Sequence, residues 1–200
     1  MIRQRSECRC WQVGSFARPA KTSGIRRTFE FYIVSDRLPP TAAQLKVSLL
    51  DFEGRALWIQ QEDMDVGALK SKSYLSIPLD QLLSGKDPKG VFLFAELLVD
   101  GQSISNDEHF FQPFKNLLLP RPKISAEAVR TPTGFRITLS SDKLARAVYL
   151  SVPNSAGFFV DNYFDLIPGR KVEVEFRTLG TVNLVDFQQR LTIRSLVDAF

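Results

Sequence analysis

The chain has 200 residues, 44% hydrophobic and 24% charged, with two cysteines and one histidine. Its net charge of +4 is uneven: residues 1–27 carry seven basic side chains against Glu7 alone, while the remainder holds 19 Lys/Arg against 21 Asp/Glu. These figures argue against a disulfide-stapled scaffold, a membrane-spanning chain and a basic nucleic-acid-binding domain, because the excess positive charge is scattered along a tail and not gathered on a folded face.

Nucleic acid and membrane are therefore not expected as partners. No apolar run is long enough to span a bilayer and no signal-peptide pattern opens the chain, so it reads as soluble with its compartment unassigned. Cys8 and Cys10, with His109 a hundred residues away, cannot complete a four-ligand zinc site, and no cofactor is implied. Phe is used sixteen times against two Trp and four Tyr, which favours packed cores over exposed aromatic platforms.

Residues 1–26 lack periodicity and contain Gly14, Pro19, Ser23 and Gly24, the composition of a disordered basic tail. Alternation begins at Phe29, Phe31 and Ile33, breaks at Pro39-Pro40, and resumes with Leu45, Val47 and Leu49. Asp51–Gly54 reverses the chain into a strand over 55–60. Further strands are expected over 71–77, 91–99 and 108–112, with one helical turn over 80–83 after Pro78. Asp100-Gly101 is a type I′ hairpin signal, because both residues tolerate positive φ. Turn chemistry between short strands points to sandwiches and not to alternating β-α units.

Leu119-Pro120-Arg121-Pro122-Lys123 interrupts the pattern, since two prolines two apart forbid a ladder. Alternation restarts at Ile124, Ala126 and Ala128; Thr133-Gly134 turns into 135–139, and a strand follows over 145–152. The segment from Gly157 to Gly169 places apolar bulk around a polar corner, Asp161-Asn162, and ends on Pro168-Gly169. Lys171–Arg177 then alternates, with Val172, Val174 and Phe176 on one face, and Leu191–Leu196 closes the pattern. The expected fold is all-β, two tandem immunoglobulin-like β-sandwiches over 27–119 and 120–200 behind the tail.

Several segments resemble the C-terminal part of glycoside hydrolase family 2 β-mannosidases. They are Tyr32–Leu38, Leu50–Trp58, Phe110-Phe111 with Lys115–Pro120, Ala147–Leu150, Asp161–Gly169 and Leu191–Leu196, in that order. The resemblance implies the two β-sandwiches that follow the catalytic (β/α)₈ barrel in that family, with no barrel here. It carries over no catalytic residue. The function it implies is that of a non-catalytic accessory region stabilising a barrel elsewhere, so its partner would be the remainder of a β-mannosidase-like enzyme. That role expects an uncovered apolar patch on a sandwich face. The alternative is a free-standing carbohydrate-binding or adhesion module with mannosides as ligands.

The residues themselves offer little chemistry. Glycoside hydrolysis needs two carboxyl groups converging in a cleft; Asn106-Asp107-Glu108 reads instead as a solvated polar turn. His109 alternates with Phe110 and reads as an exposed strand residue, not a general base. Asp161, Asn162 and Asp165 could offer oxygens to a cation but lack the further ligands and glycine of a calcium loop. For sugar stacking the candidates are Trp58, Tyr74 and Tyr163, but core packing explains such rings without a ligand and is the preferred reading.

Overall fold

A computed structural model of the chain describes residues 11–19, 27–178, 180 and 182–199. It divides into two units, one of residues up to Asp51 with Arg55–Leu118, the other of Phe52–Gly54 with the residues from Leu119 onward.

In the first unit the strands are β1 (Trp11–Pro19), β2 (Arg27–Ser35), β3 (Thr41–Asp51), β4 (Ala56–Val66), β5 (Ser71–Pro78), β6 (Val91–Val99) and β7 (Gln102–Phe110). They form two antiparallel sheets, β1-β2-β5 and β4-β3-β6-β7. Alternation decides which side chains meet between them. Phe29, Phe31 and Ile33 of β2 pack in one core with Leu45, Val47 and Leu49 of β3 and Leu93, Ala95 and Leu97 of β6. Each fully buried large apolar side chain stabilises the sandwich by about 1.5–3 kcal/mol. The helical turn after Pro78 is α1 (Leu79–Leu83), which buries Leu82.

Asp100 and Gly101 have φ of +52° and +76°, the two positive values a type I′ turn demands. The turn opposes Val99 to Gln102 and so fixes the β6–β7 register. Asn106, Asp107 and Glu108 consequently lie within β7, opposite Glu96, Ala95 and Phe94, and are not a turn as the sequence suggested. Their polarity is outweighed by the ladder that β6 offers.

Residues 1–26 were expected to be structureless. Trp11–Pro19 instead forms β1, paired residue for residue with β2 from Trp11 opposite Ser35 to Pro19 opposite Arg27. The backbone ladder along β2 supplies what the weak hydrophobic pattern of this segment does not. Residues 1–10 and 20–26 lie outside the described residues. At the far edge of the other sheet, β4 carries Glu62, Asp63 and Asp65.

The second unit comprises β8 (Ile124–Thr131), β9 (Gly134–Ser141), β10 (Ala145–Ser151), β11 (Gly157–Phe159), β12 (Phe164–Leu166), β13 (Val172–Thr178), a helix α2 (Leu184–Arg190) and β14 (Thr192–Arg194). One sheet runs β11-β13-β9-β8 and the other β12-β10-β14. Phe135, Ile137 and Leu139 of β9 share a core with Val174 and Phe176 of β13, Val148 and Leu150 of β10, and Phe187 of α2. Gly134 opens β9 where a Cβ would fall 2.0 Å from the Phe176 carbonyl oxygen, so β13 closes over it only because no side chain is there.

Helix α2 has no counterpart in the sequence reading. It is seven residues long, capped by Asn183, whose Oδ1 accepts from Asp186 N at 2.7 Å. An Arg190–Asp186 pair at 3.0 Å spans it. The Leu191–Leu196 pattern contracts to the three residues of β14.

Candidate functional site

The polar corner is where the chain of the second unit crosses between its two sheets. Before it, Val160 N donates to Glu175 O, within the sheet that holds β11; after it, Phe164 pairs with Val148 in the sheet of β10 and β12. Two residues further along the ladder, Leu150 would face Asn162. The backbone has already turned away there, because Tyr163 adopts φ +62°.

Asn162 completes the missing rung with its side chain. Its Oδ1 accepts from Leu150 N at 2.7 Å and its Nδ2 donates to Leu150 O at 2.9 Å, the donor and acceptor pair that a strand backbone would have presented. Asp161 Oδ1 accepts from Asn162 N at 2.8 Å, and Tyr163 N donates to Val148 O at 2.8 Å. The Pro168-Gly169 turn that follows is closed by Arg170 N donating to Ile167 O at 3.1 Å.

A second irregularity faces the first. Between Ala145 and Val148 β10 gains one residue over β12, a bulge in which Ala147 has φ +47°. The Ala147 N–H donates to Asp165 Oδ1 at 2.8 Å, and Asp165 is also ion-paired with Arg146, both side chains being largely buried. Left-handed backbone costs a non-glycine residue about 1–3 kcal/mol, so these hydrogen bonds hold Ala147 and Tyr163 in place. The outcome lies at the surface: the rings of Tyr149 and Tyr163 stack, centroids 5.2 Å apart at 29°, and are 38% and 66% exposed.

The three sugar-stacking candidates fare differently. Trp58 packs against the core of the first unit from β4. Tyr74 does so from β5, its hydroxyl accepting from Gly67 N at 3.2 Å, while Lys72 Nζ sits 4.4 Å from its ring centroid. Tyr163 alone presents an open ring, and it is joined by Tyr149, which the sequence did not single out. A bulge shifts the phase of a strand, so alternation alone could not have placed Tyr149 beside Tyr163. The oxygens of Asp161, Asn162 and Asp165 are engaged by backbone amides and Arg146, which explains these residues without a cation.

His109 corrects a further expectation. It stands opposite Leu93, a core residue of β6, and faces the sandwich interior, edge-on to Phe29 with centroids 4.5 Å apart and near Phe111 at 5.6 Å. Phe110 is the residue on the opposite face, stacked on Phe92 at 5.3 Å. Burial lowers the His109 pKa from its ordinary 6.5, partly opposed by the charge of Asp107. Asp107 and Glu108, successive in a strand, point to opposite faces and form no convergent carboxylate pair.

Comparison with known proteins follows the same two-unit division. Residues 27–116 match the model of a mannosidase Ig/CBM-like domain, and residues 119–199 match that of an Ig-fold domain of mannosidases. Beta-mannosidase A of Neosartorya fischeri is 26% identical over 185 residues, 84% of this chain and 20% of that protein. Beta-mannosidase A of Aspergillus terreus is 24% identical over 187 residues, with 86% and 20% covered. The chain thus spans about a fifth of the length of the curated relatives it matches. Among solved structures, the β-D-mannosidase of Dictyoglomus thermophilum superposes with a TM-score of 0.71 at 19% identity, covering 92% of this chain and 21% of that one. The exo-chitosanase CsxA of Amycolatopsis orientalis does so with a TM-score of 0.56 at 15% identity, covering 85% and 24%. At those identities the superpositions speak for the fold.

Proposed function

The chain belongs to the Ig-like domains of β-mannosidases, one of each of two kinds in succession, and from this we propose that it serves as a non-catalytic accessory region of a β-mannosidase-like glycosidase. Its partner in this reading is the catalytic barrel of such an enzyme, with residues 27–119 and 120–200 as the two modules that dock on and stabilise it. The observation that carries the reading is the ordered pair of domain matches over 27–116 and 119–199, both to Ig-like domains and neither to a catalytic one.

Surface composition supports it. Leu57 and Ile59, alternate and therefore on one face of β4, are exposed, and so are Phe158 and Val160 at the β11 end of the second unit. Exposed apolar pairs of this kind suit a surface meant to be covered.

The test is to mix the chain with the catalytic body of a relative from which the corresponding two domains have been removed. Co-elution on size exclusion and a raised Tm of that body are expected. The chain alone should release no p-nitrophenol from p-nitrophenyl β-mannoside above the buffer rate; turnover by the chain alone would overturn the reading.

A further inference from the structure

We propose that Tyr163, braced by Tyr149, which in turn stands opposite Arg194, is a stacking site for one pyranose ring of a neutral oligosaccharide. The argument starts from a mismatch between side chain and backbone. Tyr163 holds φ +62°, a conformation that glycine adopts freely and asparagine tolerates, whereas a ring-bearing side chain is strained there. The backbone around it is fixed by hydrogen bonds that need no ring: Tyr163 N to Val148 O, and the two between Asn162 and Leu150.

Nor does the ring repay the strain by burial, since it is among the most exposed large side chains of the described residues. A glycine would hold the corner better. What tyrosine adds is the surface itself, a flat aromatic face with a phenol at its edge.

That face is prepared before any ligand arrives. Tyr149 lies against Tyr163 and covers one side of it, and Tyr149 follows the β10 bulge whose Ala147 N–H is held by Asp165. A braced ring loses little freedom on contact, which favours binding. Two rings stacked on one another present one platform and not a groove, so the site fits a single ring and not an extended peptide.

The apolar C–H face of a pyranose matches a platform of this kind, and its hydroxyls need donors beside it. Arg194 supplies them: it stands directly opposite Tyr149 in the β10–β14 ladder, hence on the same face, is exposed, and has no ion-pair partner among the described residues. Only one cation stands beside the platform in this ladder, which does not make the basic track that single-stranded nucleic acid requires.

This inference concerns the chain by itself; only the choice of mannan oligomers as the first probe rests on the glycosidase reading. β-1,4-mannohexaose, cellohexaose and chitohexaose are titrated separately into the full chain while tyrosine ring resonances are followed by NMR. Saturable shifts of the Tyr149 and Tyr163 rings with at least one of the three are expected.

Tyr163→Gly should weaken that binding at least about tenfold while leaving Tm unchanged or raised, because glycine relieves the left-handed strain. Tyr163→Trp should keep it, and Arg194→Ala should weaken it several-fold. No saturation with any of the three, or binding that survives Tyr163→Gly, overturns the site; a Tm that falls in Tyr163→Gly assigns the ring to stability and overturns it equally. A chain that binds no saccharide yet stabilises the catalytic body would sink this inference alone.

Discussion

Asn162 holds Leu150 by both ends of its peptide, accepting from the N–H at 2.7 Å and donating to the C=O at 2.9 Å. A side chain thereby stands in for a strand, and the sheet of β12, β10 and β14 gains a rung after its backbone has left. Leu150 is itself buried, so neither of its polar groups has ready access to water. Asn162→Ala is therefore expected to destabilise the second unit by about 2–4 kcal/mol, the loss of two partners for buried backbone groups. Asn162→Asp should cost more, since a carboxylate cannot donate to Leu150 O and repels it. Urea denaturation followed by circular dichroism measures both.

Arg146 and Asp165 form the ion pair beneath the β10 bulge, and Asp165 also receives the Ala147 amide. Asp165→Asn preserves an acceptor for Ala147 and removes the charge facing Arg146. The expected loss is about 3–5 kcal/mol, because a largely buried guanidinium would lose the charge of Asp165. The double variant Arg146→Met with Asp165→Asn should recover a substantial part of it. Equal Tm values for the single and double variants would contradict this account.

Phe187 is fully buried on α2, stacked on Phe135 at 4.1 Å and tilted against Phe176 at 5.2 Å. With Leu184 it packs a seven-residue helix against the sandwich core. Phe187→Ala should cost about 3–5 kcal/mol. Hydrogen exchange should report faster exchange across α2 and β9 in this variant, with the first unit unaffected.

His109 gives the first unit a pH dependence. Its folded pKa lies below the ordinary value of 6.5 because burial disfavours the charged ring. Below pH 6.5 the unfolded chain takes up this proton before the folded one does, so stability is full above that value and falls as the pH drops toward the folded pKa. His109→Leu should flatten that part of the profile. Urea midpoints measured between pH 5 and 8 test this, and an unchanged slope in His109→Leu would assign the dependence to other groups.

Much of the fold was legible because it rests on period 2. Phe29/Phe31/Ile33, Leu45/Val47/Leu49 and Val174/Phe176 announce their inward faces, and Asp100-Gly101 and Pro168-Gly169 announce their turns. The polar corner was legible too, since Asp and Asn take backbone hydrogen bonds readily. Three features were not. β1 is a strand by its ladder with β2, and its sequence shows no clear alternation that would have announced it. Helix α2 is too short for a 3.6-residue period to emerge, although Asn183 with Asp186 is a capping pattern that could have disclosed its start. The Tyr149–Tyr163 stack depends on a one-residue bulge, which leaves no mark in the alternation.

The acidic stretch of β4 has a bearing on how the chain behaves in company. Among the described residues no strand pairs with its outer edge, and an open ladder is an invitation to a second copy. Two copies meeting along that border would each bring Glu62, Asp63 and Asp65 to it, with no basic residue in β4 to offset them. Self-association by that route is therefore repelled, most strongly at low ionic strength where the carboxylates are least screened. The same carboxylates would attract a basic neighbour of a different kind.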